Sequence, residues 1–313
     1  MVILINIVYQ PELFMDIRQL QFLCALDQHR HFGRAAEACH VTQPTLSMRL
    51  KNLEEELGVT LIRRRQRFEG FTEEGKRLLS WAHQSVAAFE GMKTEAHRLQ
   101  GELVGTLRIG MVPLSHVALM PTLQQLHKHS PHVRLQLHAL SSQQIIAGLE
   151  ANQLDLGLTY LAQADMAGYR VWPLGTPEVG LLYHPDHFTP EPFPSPDGDR
   201  LSWAALATLP LGLLTQSMRF RQGLDRSAKL KGIELSPVLE SDSVEHLLEG
   251  TSNGLCCTLI PLPPPHSLSA TGLRTVKMED TLPQSTLALA CQDGQYSHNP
   301  LVQALIQRIV TDN

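Results

Sequence analysis

The segment from His31 to Thr72 constrains this chain more than any other. Its first half places the small residues Ala35, Ala36, Ala38 and Cys39 where two helices can cross closely, and its second half carries the apolar row Leu46, Leu50, Leu53 and Leu57. Steps of four, three and four residues put these leucines on one narrow helical stripe, so the opposite face, with Pro44, Thr45, Ser47, Met48 and Lys51, is predicted to stay free. Thr42 suits the N-cap, and Pro44 suits a first turn where its missing donor costs nothing. Val59 to Ile62 then lead into Arg63, Arg64, Arg65 and Arg67 and back through Phe68 to Phe71, which reads as a short hairpin with a basic tip. Two helices, a tight turn and a basic hairpin make a winged helix-turn-helix.

A helix that enters a DNA groove needs short polar side chains and positive charge near its N-terminus, where free backbone N–H groups also favour phosphate. Thr42, Gln43, Thr45, Ser47 and Arg49 supply that set. Gln43 suits adenine or phosphate, while Met48 offers only apolar contact, for example with a thymine methyl. Arginines of a wing suit phosphate positioning. The candidate DNA-binding residues are Arg34, Thr42, Gln43, Pro44, Thr45, Ser47, Met48, Arg49, Lys51, Arg63, Arg64, Arg65 and Arg67, and the expected partner is double-stranded DNA.

The run MDIRQLQFLCALDQHRHFGRAAEACHVTQPTLSMRLKNLEEELGVTLIRRR, followed by FTEEGKRLL, resembles the LysR-type transcriptional regulators. Met15 to about Gly101 matches densely and the remainder more loosely. Cys39 stands where a larger aliphatic residue is commoner, Met48 where an arginine often follows the serine, and Phe71 where leucine is usual. The resemblance implies a homodimer or tetramer, a small-molecule effector, and RNA polymerase as a partner if the protein activates. It also implies a C-terminal α/β effector domain of two lobes like the periplasmic binding proteins.

From Thr72 the pattern is that of a long helix, with Glu73 and Glu74 in its first turn and Gly101 as its stop. Leu78, Ala82, Ser85, Phe89, Met92, Ala96 and Leu99 repeat every seven residues and predict a dimerisation seam along a rod of roughly 42 Å. The expected organisation is an extension (1–15), the winged domain (16–72), the linker helix (73–101) and the effector domain (102–313). Within the last, one lobe comprises about 102–178 and 286–313 and the other about 179–285.

The C-terminal two-thirds alternates strand and helix patterns, which predicts parallel sheets flanked by helices. Strands are expected at Leu107 to Met111, Val133 to Ala139, Asp155 to Tyr160, Leu211 to Leu214, Pro237 to Glu240 and Leu255 to Ile260. Helices are expected at Ser115 to His129, Ser142 to Asn152, Met218 to Lys231, Ser243 to Ser252 and Leu301 to Val310, with Pro190 to Arg200 and Pro261 to Pro265 as loops. Crossings between lobes fall near Val179 to Tyr183 and Thr286 to Cys291. Ligands of open α/β sheets sit beyond the carboxyl ends of strands, beside helix N-termini. The candidate effector set is therefore Val112, Pro113, Leu114, Ser115, His116, Ser141, Ser142, Thr159, Thr215, Gln216, Ser217 and Arg219, with hydroxyls and N–H groups suited to an anion.

Residues 16–101 carry 13 Lys and Arg against 11 Asp and Glu, and residues 102–313 carry 13 against 19, so positive charge is concentrated where DNA is expected. Five cysteines in apolar contexts, Cys24, Cys39, Cys256, Cys257 and Cys291, read as buried thiols of a cytoplasmic protein and not as a redox pair. His127, His129, His184 and His187 lack supporting ligands at metal spacing, and no cofactor is expected. Residues 1–14 have neither a signal-peptide pattern nor the length to span a membrane, and read as a loose arm or the product of an upstream start codon, the alternative being a segment packed on the DNA-binding domain. The motifs of phosphate loops, nucleophile elbows and HExxH zinc sites do not occur, so an enzyme is not expected. A solute-binding receptor and a ligand-independent DNA-binding protein are the alternatives.

Overall fold

The computed structural model describes residues 15–64, 67–115, 119–161, 168–189, 193–195, 198–262, 272–279 and 286–312, and divides into two compact units, one ending at Lys93 and one beginning at Thr94. The extension 1–14 lies outside the described residues. In the first unit, helices α1 (Ile17–His29), α2 (Phe32–Ala38) and α3 (Gln43–Leu57) precede the antiparallel hairpin β1 (Ile62–Arg64) and β2 (Phe68–Phe71). The long helix α4 (Glu73–Leu99) follows and continues into the second unit. Leu46, Leu50 and Leu53 of α3 are fully buried with Leu23, Leu26, Ala35 and Ala36, so the predicted stripe is the core. Thr42 caps α3 by accepting from the Thr45 N–H, and Gly58 ends it at φ 67°, a conformation glycine adopts without steric cost.

The start of α4 is fastened to β1. Thr72 donates its hydroxyl to the Thr60 carbonyl at 2.7 Å and accepts from Gly75 N at 2.8 Å, while its N–H donates to the Leu61 carbonyl at 2.9 Å. A Cβ on Gly75 would lie 2.1 Å from that same Leu61 oxygen.

The second unit holds two sheets. The first has the order β4 (Val133–Ala139), β3 (Gly105–Met111), β5 (Leu156–Leu161), β14 (Thr286–Gln292) and β6 (Tyr169–Gly175). Helices α5 (Met120–His129), α6 (Ser142–Glu150), α9 (Asp293–His298) and α10 (Pro300–Asp312) accompany it. The second has the order β11 (Pro237–Ser241), β10 (Leu211–Leu214), β12 (Cys257–Leu262), β7 (Glu178–Tyr183), β13 (Arg274–Met278), β9 (Gly198–Leu201) and β8 (Phe193–Ser195), with α7 (Arg219–Leu230) and α8 (Val244–Ser252). The chain passes from β6 in one sheet to β7 in the other, and from β13 back to β14.

Three expectations need correction. The sheets are mixed, because β7 and β14 enter straight from the other lobe without a crossover helix and so run antiparallel to their neighbours. The expected helix from Ser115 begins only at Met120, since Leu114 turns the chain at φ 55° and Pro121 sits in the first turn. The expected loop at Pro190 to Arg200 contains the β8–β9 hairpin.

Gly75→Ala should push α4 off β1 and lower the denaturation midpoint of the full-length protein, by an amount in the range of about 1–3 kcal/mol typical of overpacked sites. An unchanged midpoint would show that α4 tolerates the displacement at no cost.

Candidate DNA interface and effector cleft

The α3 face opposite its leucines is open: Gln43, Pro44, Met48, Arg49 and Lys51 are exposed, and Thr45 and Ser47 are half-buried. Thr42 and Thr45 share a hydroxyl hydrogen bond of 2.9 Å, Lys51 pairs with Glu55 at 3.2 Å, and Arg49 donates to Asp16 at 3.3 Å. Arg34 is exposed on α2 and donates to the His29 carbonyl. The free N–H groups of the first turn of α3 add a partial positive charge to this surface.

The wing arginines differ from one another. Arg63 donates Nε to the Phe71 carbonyl at 3.0 Å and reaches Glu73 at 3.8 Å, so it braces the hairpin against the start of α4. Its side chain is still 55% exposed, so these contacts orient it without removing it from the DNA-facing surface. Arg67 is exposed, the backbone of Arg64 pairs with Phe68, and Arg65 lies outside the described residues. The hairpin is also held from α3: Glu54 accepts from Leu61 N at 2.8 Å and Ile62 N at 3.0 Å. Sequence reasoning missed Glu54, because Glu54-Glu55-Glu56 reads as a solvated charge run.

Two of the predicted seam residues of α4 face their own protomer. Ala82 is buried in the first unit's core, and Leu78 is half-buried and packs against that core. The exposed apolar positions are instead Trp81, Met92 and Leu99, 65%, 63% and 77% exposed, with Ser85, Ala88 and Ala96 between them. Phe89 is half-buried under the Lys93 ammonium at 4.8 Å. The stripe therefore runs Trp81, Ser85, Ala88, Met92, Ala96, Leu99, and the indole at its head was not in the predicted set.

In the second unit Ser141 caps α6 through a reciprocal pair with Gln144, while Ser142 Oγ and Thr159 Oγ1 are buried without a hydrogen-bond partner among the described residues. Gly157, two residues before Thr159 on β5, faces Ile145 and Leu149 of α6, which puts Thr159 on the α6 side as well. Tyr160 points the opposite way and stacks on Phe220 of α7 at 6.3 Å, linking the two lobes. Its hydroxyl has no partner among the described residues, and burial raises its pKa well above the ordinary phenol value. Val112 is buried at the end of β3, next to Pro113 and Leu114, while Ser115 is half-buried outside any helix and His116 lies outside the described residues. Thr215 and Ser217 share a hydroxyl hydrogen bond of 3.0 Å, and Gln216 accepts from Gln222 through its carbonyl. Arg219 is half-buried at the first position of α7. The buried cation nearby was not predicted: Arg221 donates to the Leu214 carbonyl at 2.8 Å, to Asp225 at 2.7 Å and to Glu240 at 2.6 Å, which neutralises it within the lobe.

The thiols of this unit are enclosed. Burial raises the pKa of Cys256 and pushes Cys257 and Cys291 up to about 12. Three of the histidines singled out above serve the backbone, His127 and His129 through carbonyl contacts and His184 through Asp186 N, while the His187 ring lies 4.9 Å from that of His184. Among the described residues no group of three or more His, Cys, Asp and Glu is placed to hold a metal.

The sequence model for the bacterial regulatory helix-turn-helix protein, lysR family, matches residues 17–76, and that for the LysR substrate binding domain matches residues 100–312. The chain belongs to the LysR family. It is 30% identical over 282 residues to a hydrogen peroxide-inducible genes activator of Pectobacterium carotovorum subsp. carotovorum, covering 90% of this chain and 91% of the relative. A full-length cysteine-to-aspartate variant of OxyR from Pseudomonas aeruginosa superposes with a TM-score of 0.70 at 25% identity, covering 94% of both chains. Full-length CbnR in complex with its target DNA gives 0.65 at 18% identity, covering 96% of this chain and all of the other, and so speaks for the fold. This LysR-type chain is a DNA-binding transcriptional regulator with an effector-binding domain.

Ser47→Ala should weaken binding to a preferred duplex by about 1–3 kcal/mol while leaving binding to unrelated duplexes unchanged, as expected for a lost base contact. Fluorescence anisotropy with a selected and a shuffled duplex makes the comparison. An equal loss on both would assign Ser47 to phosphate or to the fold.

Proposed function

We propose that this LysR-family regulator reads DNA with the exposed face of α3, positions itself on phosphates with Arg64, Arg65 and Arg67, and responds to a small molecule held between its two α/β lobes. The observation that carries the first part is the burial of Leu46, Leu50 and Leu53, which leaves Thr45, Ser47, Met48 and Arg49 with no role in the core. A dimer joined through the Trp81-to-Leu99 stripe brings two such faces to one duplex and covers an apolar surface that is costly to leave in water. The protein acts in the cytoplasm without chemistry of its own. Among the described residues no helix is long and apolar enough to cross a membrane.

The effector reading rests on Ser142 and Thr159, buried hydroxyls without partners among the described residues, at the start of α6 and near the end of β5. A buried polar group without a partner costs on the order of 1–3 kcal/mol, and a ligand oxygen supplies the missing bond. The helix N-termini of α6 and α7 favour an anionic ligand. A ligand that touches both lobes binds one arrangement of them better than another and so shifts their equilibrium.

The effector need not be the one named for relatives. Thiol oxidation starts from an accessible thiolate, whereas Cys256, Cys257 and Cys291 are buried and neutral. We therefore expect hydrogen peroxide not to act through the effector lobes: with the half-buried Cys24 and Cys39 of the DNA-binding unit replaced by serine, it should leave the DNA affinity of the full-length protein unchanged. Thermal shift against a panel of metabolic acids should find a ligand whose affinity falls in both Thr159→Val and Ser142→Ala. Full affinity in both variants would place the ligand elsewhere, and a peroxide-dependent change in the DNA binding of the serine variant would overturn the reading of the thiols.

A further inference from the structure

Asp16, the residue before α1, uses one carboxylate for two purposes. Its Oδ1 accepts from Gln19 N at 2.8 Å while Gln19 Oε1 accepts from Asp16 N at 2.8 Å, which closes a capping box at the start of α1. Its Oδ2 accepts from Nη1 of Arg49 on α3 at 3.3 Å. Gln19 adds a second tie to α3 through Nε2, which donates to Glu56 at 3.4 Å. The cap holds the Asp16 carboxylate against the backbone, so it is a fixed acceptor. Arg49 is a long side chain that would otherwise sweep through solvent, and it stands one helical turn after Thr45 on the same side of α3.

Stability does not explain this pair. Both side chains are close to half exposed, 45% for Arg49 and 43% for Asp16, and ion pairs of that exposure contribute about 0–1 kcal/mol. The packing of α1 on α3 is already secured by Leu23, Leu26, Leu46 and Leu50, all buried. An acidic group beside a DNA-facing helix also opposes the attraction to phosphate on which non-specific binding depends. The pairing thus lowers general affinity for nucleic acid and adds little to the fold.

We propose that Asp16 is a specificity-determining positioning residue for DNA recognition: it holds the Arg49 guanidinium in one orientation, with donors left for a base edge, and repels duplexes that offer Arg49 only phosphate. The inference rests on α3 being the DNA-reading helix. A guanidinium held in advance loses less rotamer freedom on binding, so the matched sequence keeps most of its affinity. An unmatched duplex gains nothing from that orientation and meets the Asp16 charge. Asp16 therefore raises the ratio of specific to non-specific binding.

The test uses the full-length protein, a duplex enriched from a random-sequence library by the wild type, and a shuffled duplex, each titrated over a range of salt. Asp16→Asn keeps a preferred N-cap residue and removes the charge. It should bind the shuffled duplex several-fold more tightly, gain less on the enriched one, and so lose about fivefold or more in their ratio, the low end of what one arginine–base contact contributes to discrimination. In an Arg49→Ala background the same substitution should leave the ratio unchanged. Should Asp16→Asn melt below the wild type, Asp16→Ser, which also caps, takes its place in the same comparison. A ratio that holds or rises in the capped variant, or that falls equally without Arg49, overturns the proposal. If the wild type enriches no duplex, the DNA-reading role of α3 falls with it; if a duplex is enriched but Arg49→Ala leaves its affinity unchanged, only the proposal for Asp16 falls.

Discussion

Three leucines fix the DNA-binding unit. Leu46, Leu50 and Leu53 have no exposed surface, and burying each contributes roughly 1.5–3 kcal/mol, so any roll of α3 that turned them toward solvent would cost a large part of a small domain's stability. The orientation of the opposite face follows from this without any contribution from the residues on it. Thr45, Ser47, Met48 and Arg49 are consequently free to be chosen for what they meet outside the protein. The wing is set by the same helix, since Glu54, one residue after Leu53, supplies the carboxylate that accepts both Leu61 N and Ile62 N. Gly75 and Thr72 then carry that geometry into α4, with no space between α4 and the Leu61 carbonyl for a side chain.

A buried carboxylate plays a comparable part in the second unit. Asp155 precedes β5, accepts from Arg108 N on β3 at 2.7 Å, and receives Asn299 at 3.4 Å from the turn before α10. Burial raises its pKa, opposed by the charge and N–H of Arg108, and the pairing with Arg108 at 3.6 Å lies partly in solvent. One side chain thus joins two central strands to the C-terminal helix. From that frame β5 projects Thr159 to the α6 side and Tyr160 to the other, so the strand that anchors the lobe presents a candidate ligand contact on one face and a contact between the lobes on the other. The Tyr160–Phe220 stack connects this arrangement to α7 across the lobes.

What was legible in the sequence was what periodicity encodes. The leucine row of α3, the Thr42 cap, the rod of α4 and the alternation of strands with helices in both lobes follow from spacing and from punctuation by Gly, Pro and Thr, whereas β6, β8, β9, β13 and α9 were not expected. The errors arise where a local signal competes with a tertiary one. Ser115 looks like a cap, but Leu114 at positive φ and Pro121 move the helix start to Met120. Leu78 and Ala82 fit a seven-residue repeat, yet the helix-turn-helix core lies against that end of α4 and takes them, which leaves Trp81 outward. A single helix pattern cannot say which of two apolar neighbours claims a residue. Asp16 and Glu54 were missed for the converse reason: each is an ordinary polar residue by type, and its partner lies in another element, 33 residues away for Asp16 and seven or eight for Glu54.

The cysteines show why sensing chemistry does not travel with the fold. A fold fixes where lobes, cleft and helix termini lie, whereas a redox sensor additionally requires one accessible thiolate with a lowered pKa. Here the three thiols of the effector unit are part of the packing. A Cβ added at Gly212 would meet Cys256 Sγ at 2.5 Å, and Cys257 and Cys291 are fully buried in strands β12 and β14. Oxidising any of them requires the sheet to open first, and the cost of that opening is set by the core and not by the oxidant. The hydroxyls of Ser142 and Thr159 differ in kind, since each is buried with hydrogen-bonding capacity unspent among the described residues. Natural interiors rarely leave such groups unsatisfied without a functional return. In the effector reading proposed above, ligand contacts fall to oxygen donors and helix N-termini, while Cys256, Cys257 and Cys291 serve the core.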